Sequence, residues 1–194
     1  HVEPIPLSTA LDAAELTFTT GGDADWFGQT ATTHDGVDAA RSGAIGSSQT
    51  SYMETTVSES GILTFWWKVS CEKSFDQLRF YVDGNLLVWI SGSTDWEQKS
   101  YKIQSGSHTL RWEYRKDAFG SSGEDCGWVD QVVWTPSPPP TITTPSPLPV
   151  GTVDSAYSVT LAASGGTEPY TWALDSGSLP DGLSLVGNVI SGIP

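Results

Sequence analysis

The chain has 194 residues, of which 38% are hydrophobic and 11% aromatic, enough for one or two packed cores and too apolar for extended disorder. Nine basic against 23 acidic side chains give a net charge of −14, which repels phosphate backbones and argues against nucleic acid as a partner. No run approaches the roughly 20 apolar residues of a spanning helix, so membrane insertion is not expected.

The opening at His1, without an initiator Met or a signal-peptide pattern, reads as a processed or excised chain. From Leu11 onward the pattern is one of short strands. Residues 62–69 (Ile-Leu-Thr-Phe-Trp-Trp-Lys-Val) form one, and residues 77–82 (Gln-Leu-Arg-Phe-Tyr-Val) the next. Asp83-Gly84-Asn85 then turns the chain into the apolar run 86–90, a hairpin signal. Further strands follow at 97–103, 108–115 and 128–134, with Ser-Gly turns between them and no long helical period. Alternation puts Leu63, Phe65, Trp67 and Val69 on one side, as it does Leu78, Phe80 and Val82, and Leu110, Trp112 and Tyr114. Those sides predict the core of an all-β, antiparallel sandwich.

The opposite sides carry Trp66 and Lys68, then Arg79 and Tyr81, then Arg111, Glu113 and Arg115. If these converge on one face, the aromatic rings stack on sugars while Arg and Glu exchange hydrogen bonds with hydroxyls. Clustered cations in an acidic chain also suit a carboxylated or sulfated ligand. The competing reading is a structural ladder in which Glu113 neutralises neighbouring arginines. Trp89 and Trp96, flanking the turn 91–95, read either as a sugar platform or as core.

Beyond Trp134, residues 135–151 contain seven prolines and read as an extended linker between a first module, 1–134, and a second, 152–194. The latter is short for an independent core and ends without a closing strand, as a truncated module would. Cys71 and Cys126 belong to no metal-spaced cluster and are expected to form one disulfide, which would imply an oxidising compartment.

The segments Gly-Asp-Ala-Asp-Trp-Phe (22–27), Leu-Thr-Phe-Trp-Trp-Lys-Val-Ser (63–70), His-Thr-Leu-Arg-Trp-Glu-Tyr (108–114) and Gly-Trp-Val-Asp-Gln-Val (127–132) are among those that carry a family resemblance. Through them residues 11–134 resemble a β-jelly-roll domain of large secreted bacterial proteins, similar to MAM-type domains and to jelly-roll carbohydrate-binding modules. The resemblance implies a structural Ca²⁺ held between the chain start and a last-strand Asp. Here that residue is Asp130, with Asp12 or Glu15 as its partner and the loop His34-Asp35-Gly36 as a source of carbonyls. The chain departs from the usual Phe-Glu pair at Leu11-Asp12, and loop Asp residues also serve Asx turns. The tail, through Pro-Tyr-Thr-Trp (169–172), Gly-Ser-Leu-Pro-Asp-Gly-Leu-Ser-Leu (177–185) and Val-Ile-Ser-Gly-Ile-Pro (189–194), resembles the immunoglobulin-like repeat of bacterial surface proteins.

Catalytic patterns are wanting. There is no nucleophile elbow, no His-Glu-x-x-His and no phosphate-binding Gly-rich loop, and the adjacent Glu124 and Asp125 read as solvated loop acids. His1 with a second histidine is a copper-chelating pattern, as in lytic polysaccharide monooxygenases, but it precedes what reads as a linker remnant. The expected function is a non-catalytic, extracellular module that binds polysaccharide or a cell-surface glycan through its exposed sheet face. The alternative is adhesion to a protein partner, or a spacer in a cell-surface stalk.

Overall fold

The structure, a computed structural model, describes residues 4–194. His1 lies outside the described residues. The chain divides into two compact units, His1–Pro136 and Ser137–Pro194.

The first unit opens with a single helical turn, α1 (Leu7–Ala10), and continues in ten strands: β1 (Thr19–Gly22), β2 (Phe27–Gln29), β3 (Ala39–Arg41), β4 (Thr50–Val57), β5 (Gly61–Ser70), β6 (Gln77–Val82), β7 (Asn85–Ile90), β8 (Glu97–Ile103), β9 (His108–Arg115) and β10 (Cys126–Pro136). They form two antiparallel sheets, ordered β1-β4-β9-β6-β7 and β2-β3-β10-β5-β8. This is the antiparallel sandwich that the alternation predicts and the jelly roll that the resemblance implies. The core is made by the predicted sides: Leu63, Phe65, Trp67, Val69, Leu78, Phe80, Leu110, Trp112 and Tyr114 are all fully buried, and Val82 packs against them. Phe65 sits at the centre, its ring centroid 4.9 Å from Phe80, 5.2 Å from Trp112 and 5.6 Å from Trp67.

The β6–β7 hairpin turns on Asp83 and Gly84, both at positive φ (52° and 75°), the geometry that matches the twist of the flanking strands. Asp83 also reaches across to β9, accepting the Thr109 N–H at 2.9 Å and pairing with His108 Nδ1 at 2.7 Å. The hydrogen bond from His108 holds the Asp83 carboxyl below its ordinary value, and the same bond raises the imidazole above its own. The histidine contribution is therefore complete below about pH 6.5 and fades as pH rises through the folded pKa, while the aspartate contribution fades as pH falls through its lowered pKa. An NMR titration is expected to show His108 titrating above an unperturbed histidine in the native chain and returning towards about 6.5 in Asp83→Asn. An unshifted His108 in the native chain would refute the pairing.

The Cys71–Cys126 cross-link expected from the sequence is not formed, and strand parity explains why. Cys126 lies opposite Ser70 on β5, so its side chain shares the outer side with Ser70 and Lys68, whereas Cys71 turns inward with Val69. Both are free, buried thiols. Cys71 Sγ donates to the Asp76 carbonyl (3.2 Å), and Cys126 Sγ accepts from Arg41 Nε (3.2 Å). Burial pushes both thiols above their ordinary pKa. The cysteines therefore lend no support to an oxidising compartment.

In the second unit β11 (Thr141–Ile142) pairs with β13 (Ala163–Ser164), and β12 (Tyr157–Thr160), β15 (Val189–Gly192) and β14 (Leu183–Val186) form a three-stranded sheet in that order. Part of the proline-rich stretch read as linker is thus sheet. The N–H of Gly166 bonds to the Pro138 carbonyl at 2.5 Å, tying that stretch to the same unit. Ile190 is buried at the middle strand of the larger sheet.

Candidate functional site

The two outer faces of the first unit differ. On the β2-β3-β10-β5-β8 sheet, Trp128 and Asp130 are buried, although their register partners Lys68 and Trp66 mark them as outward-pointing. The loop around His34 covers this side. Its imidazole stacks on Trp66 at 3.8 Å with the planes 17° apart, and Trp96 meets it edge-on at 5.8 Å. Asp130 pins the loop by accepting the His34 N–H at 2.6 Å, and His34 Nδ1 pairs with Gln131 Oε1 at 2.8 Å. Trp66 is consequently half-buried.

The face of the β1-β4-β9-β6-β7 sheet is open, and cross-strand register lays its side chains in two rows. One runs Gly21, Tyr52, Glu113, Arg79, Trp89, and the next Thr19, Glu54, Arg111, Tyr81, Leu86. Arg111 donates to Glu54 (Nε 2.8 Å, Nη2 2.7 Å) and its guanidinium lies 3.9 Å from the Tyr52 ring centroid. Arg79 donates to Gln77 (2.8 Å) and to the Tyr81 hydroxyl (3.2 Å), which in turn donates to Glu113 at 3.2 Å. The outer end of the Tyr52 ring packs on Gly21, where a Cβ would stand 2.4 Å from its hydroxyl. Only glycine permits that approach. Rings and planar guanidinia are thus held in place by hydrogen bonds, with Trp89 48% exposed at the end of its row. Such a surface offers flat apolar area beside fixed donors and acceptors.

The seven residues expected to converge are therefore divided. Arg79, Tyr81, Arg111 and Glu113 come together, with Arg115 exposed in the adjoining row between Thr50 and Gln77. Trp66 and Lys68 do not join them, because β5 lies in the other sheet and its outward side faces the opposite surface of the sandwich. Tyr52 and Glu54 of β4 were missed in the sequence, whereas Trp89, read there as either sugar platform or core, lies outward. Asp125, read as a solvated loop acid, is ion-paired to the buried Lys116 and accepts the Tyr114 hydroxyl at 2.8 Å, while Glu124 is exposed.

A second cluster joins Asp12, Asp35 and Asp130, whose nearest carboxylate oxygens all lie within 4.8 Å of one another. Asp130 is fully buried. Its Oδ2 accepts the His34 and Asp35 N–H groups, but its Oδ1 has no partner. Burial, and then the neighbouring Asp35 charge, raise the pKa of both Asp12 and Asp130. Asp12 reaches this place at φ 55°, where the Val132 N–H bonds to the Leu11 carbonyl at 2.8 Å and Gln131 (φ 48°) forms a bulge in β10. An orphaned buried carboxylate oxygen among three acids, all oxygen donors, suits a hard divalent cation.

Residues 139–194 match the family described as "Putative Ig domain", in accord with the small strands of the second unit. No match was found among curated proteins. Among solved structures, the secreted serine protease VesC from Vibrio cholerae is similar at a TM-score of 0.54 and 18% identity, over 69% of this chain and 28% of that one. This likeness supports the fold alone, and the chain spans little more than a quarter of VesC. The K3 adhesin domain of Lys-gingipain from Porphyromonas gingivalis W83 (TM-score 0.48, 16% identity, 68% of this chain and 94% of that one) is also similar. So is TmCBM61, solved with beta-1,4-galactotriose (0.41, 16%, 61% and 88%). Among the described residues no helix is long and apolar enough to cross a membrane.

Proposed function

We propose that the first unit is a non-catalytic, extracellular carbohydrate-binding module and that its ligand lies across the β1-β4-β9-β6-β7 face. The observation that carries this reading is the pair of cross-strand rows in which Tyr52, Tyr81 and Trp89 alternate with Arg79, Arg111, Glu54 and Glu113. Sugar rings stack on Trp89 and Tyr81, while Tyr52 holds Arg111 over its own ring, and the hydrogen-bonded Arg and Glu groups exchange bonds with hydroxyls without needing to be ordered first. Three arginines against two glutamates leave the face less acidic than the chain as a whole, which favours a carboxylated or sulfated polysaccharide. The test is affinity electrophoresis through gels containing polygalacturonate, chondroitin sulfate or neutral glucans. Retention in an acidic gel is expected to weaken on the order of tenfold in Trp89→Ala and in Tyr81→Ala. It should be unchanged in Trp66→Ala, which alters the opposite surface. Equal retention of all three variants would remove the face from consideration.

The Asp12, Asp35 and Asp130 cluster would hold a structural Ca²⁺ that fixes the chain start and the His34 loop to the bulge of β10. A second reading, an adhesive or spacer segment of a surface protein, is favoured by the immunoglobulin-like match at 139–194. It predicts no glycan retention.

A further inference from the structure

The three arginines of the β1-β4-β9-β6-β7 face do not offer their charge equally. Arg111 is neutralised within the face, ion-paired to Glu54 with its guanidinium over the Tyr52 ring. Arg79 and Arg115 have no ion-pair partner among the described residues. Arg79 is nevertheless fixed, because its Nε donates to Gln77 Oε1 at 2.8 Å and its Nη1 to the Tyr81 hydroxyl at 3.2 Å. Both partners are neutral, so the guanidinium is held in place with its charge intact and Nη2 uncommitted. Arg115 is exposed and lies directly opposite Gln77, which makes it the diagonal neighbour of Arg79. Long side chains at that spacing can meet over one ligand group. Glu113, opposite Arg79, accepts the Tyr81 hydroxyl, so two cations stand with one acid on this part of the face. On its other side Arg79 is paired with the exposed Trp89.

We propose that Arg79 and Arg115 form an anion subsite that takes the carboxylate or sulfate ester of an acidic sugar stacked on Trp89, and that Arg111 does not read this charge. The assignment rests on the carbohydrate reading of the face. A guanidinium fork matches the oxygens of either group with paired N–H donors. The net charge of −14 does not cancel the attraction, since at physiological ionic strength charges farther away than about 8 Å are largely screened and the two touching cations govern. With the pair beside Trp89, at one end of the row of rings, a single acidic group would also fix the register of a polymer on the sheet.

Two measurements separate the subsite from the wider reading. Potassium sulfate, titrated at constant ionic strength against potassium chloride, is expected to shift the guanidinium carbon resonances of Arg79 and Arg115 saturably, with a midpoint on the order of 10 mM, and to leave that of Arg111 in place. In affinity gels, polygalacturonate is compared with its methyl ester, which reports the carboxylate, and chondroitin sulfate with the desulfated polymer, which reports the sulfate. The native chain should prefer at least one charged polymer over its counterpart by about tenfold. In Arg79→Gln and in Arg115→Gln that preference should fall to about twofold or less, whereas Arg111→Gln should keep it even where total retention weakens. Arg115 makes no hydrogen bond among the described residues, so its variant leaves the fold intact. Unmoved Arg79 and Arg115 resonances, no preference in the native chain, or a preference that survives in both variants would each overturn the subsite. Shifted resonances without retention in any gel would keep the anion site and overturn the carbohydrate reading.

Discussion

Replacing Trp112 by alanine is expected to destabilise the first unit by about 3–5 kcal/mol, the cost of removing a large, fully buried aromatic side chain. Trp112 sits on β9, the middle strand of its sheet, with no exposed surface. Its ring centroid lies 5.1 Å from Phe80, 5.2 Å from Phe65 and 6.4 Å from Phe18. Its neighbours come from β5 and β6 and from the segment before β1, so the cavity cannot close by the movement of one strand. The indole Nε1 is buried without a partner, so truncation also removes an unsatisfied donor, which offsets part of the loss. Trp112→Phe separates the two effects: it keeps an aromatic ring, deletes the orphaned N–H, and is expected to cost less than about 1.5 kcal/mol. Urea unfolding of the three proteins measures both differences. A loss below about 1.5 kcal/mol for Trp112→Ala would mean that the ring is not the shared contact of both sheets.

Much of this core was legible because alternation is strict wherever one side of a strand is dry. Leu63, Phe65, Trp67 and Val69 could be assigned inward from residue types alone, and so could the Asp83-Gly84 turn. The site was only half legible. Alternation tells which residues share a side of one strand, but not which sheet the strand enters. β5 and β6 are consecutive in sequence, yet the connection at 71–76 carries the chain from one sheet to the other, and this separated Trp66 and Lys68 from Arg79 and Tyr81. β4 was overlooked because Ser51 and Thr55 occupy inward positions beside Met53 and Val57, blurring the contrast that would have marked Tyr52 and Glu54 as outward. Trp89 was obscured by the bulge in its strand pair, which no simple period of two anticipates.

The acidic cluster supports the other large effect. Calcium in excess is expected to raise the melting temperature of the first unit, and a chelator to lower it again. At a calcium concentration a thousandfold above the dissociation constant, binding to the folded state alone contributes about 4 kcal/mol. For a chain of this length that corresponds to a shift on the order of 10 °C. Asp130→Asn sharpens the test, because it preserves shape and can still accept the His34 N–H while removing the buried charge. In chelator the variant should melt no lower than the native chain, since the carboxylates of Asp12 and Asp35 lose a like-charged neighbour. In calcium the order should reverse, because the native chain gains a ligand-dependent stabilisation that the variant has lost. Identical melting of the native chain in chelator and in calcium would remove the cation from the account. The orphaned Oδ1 of Asp130 would then represent a standing cost of the fold, offset by the loop that its other oxygen secures.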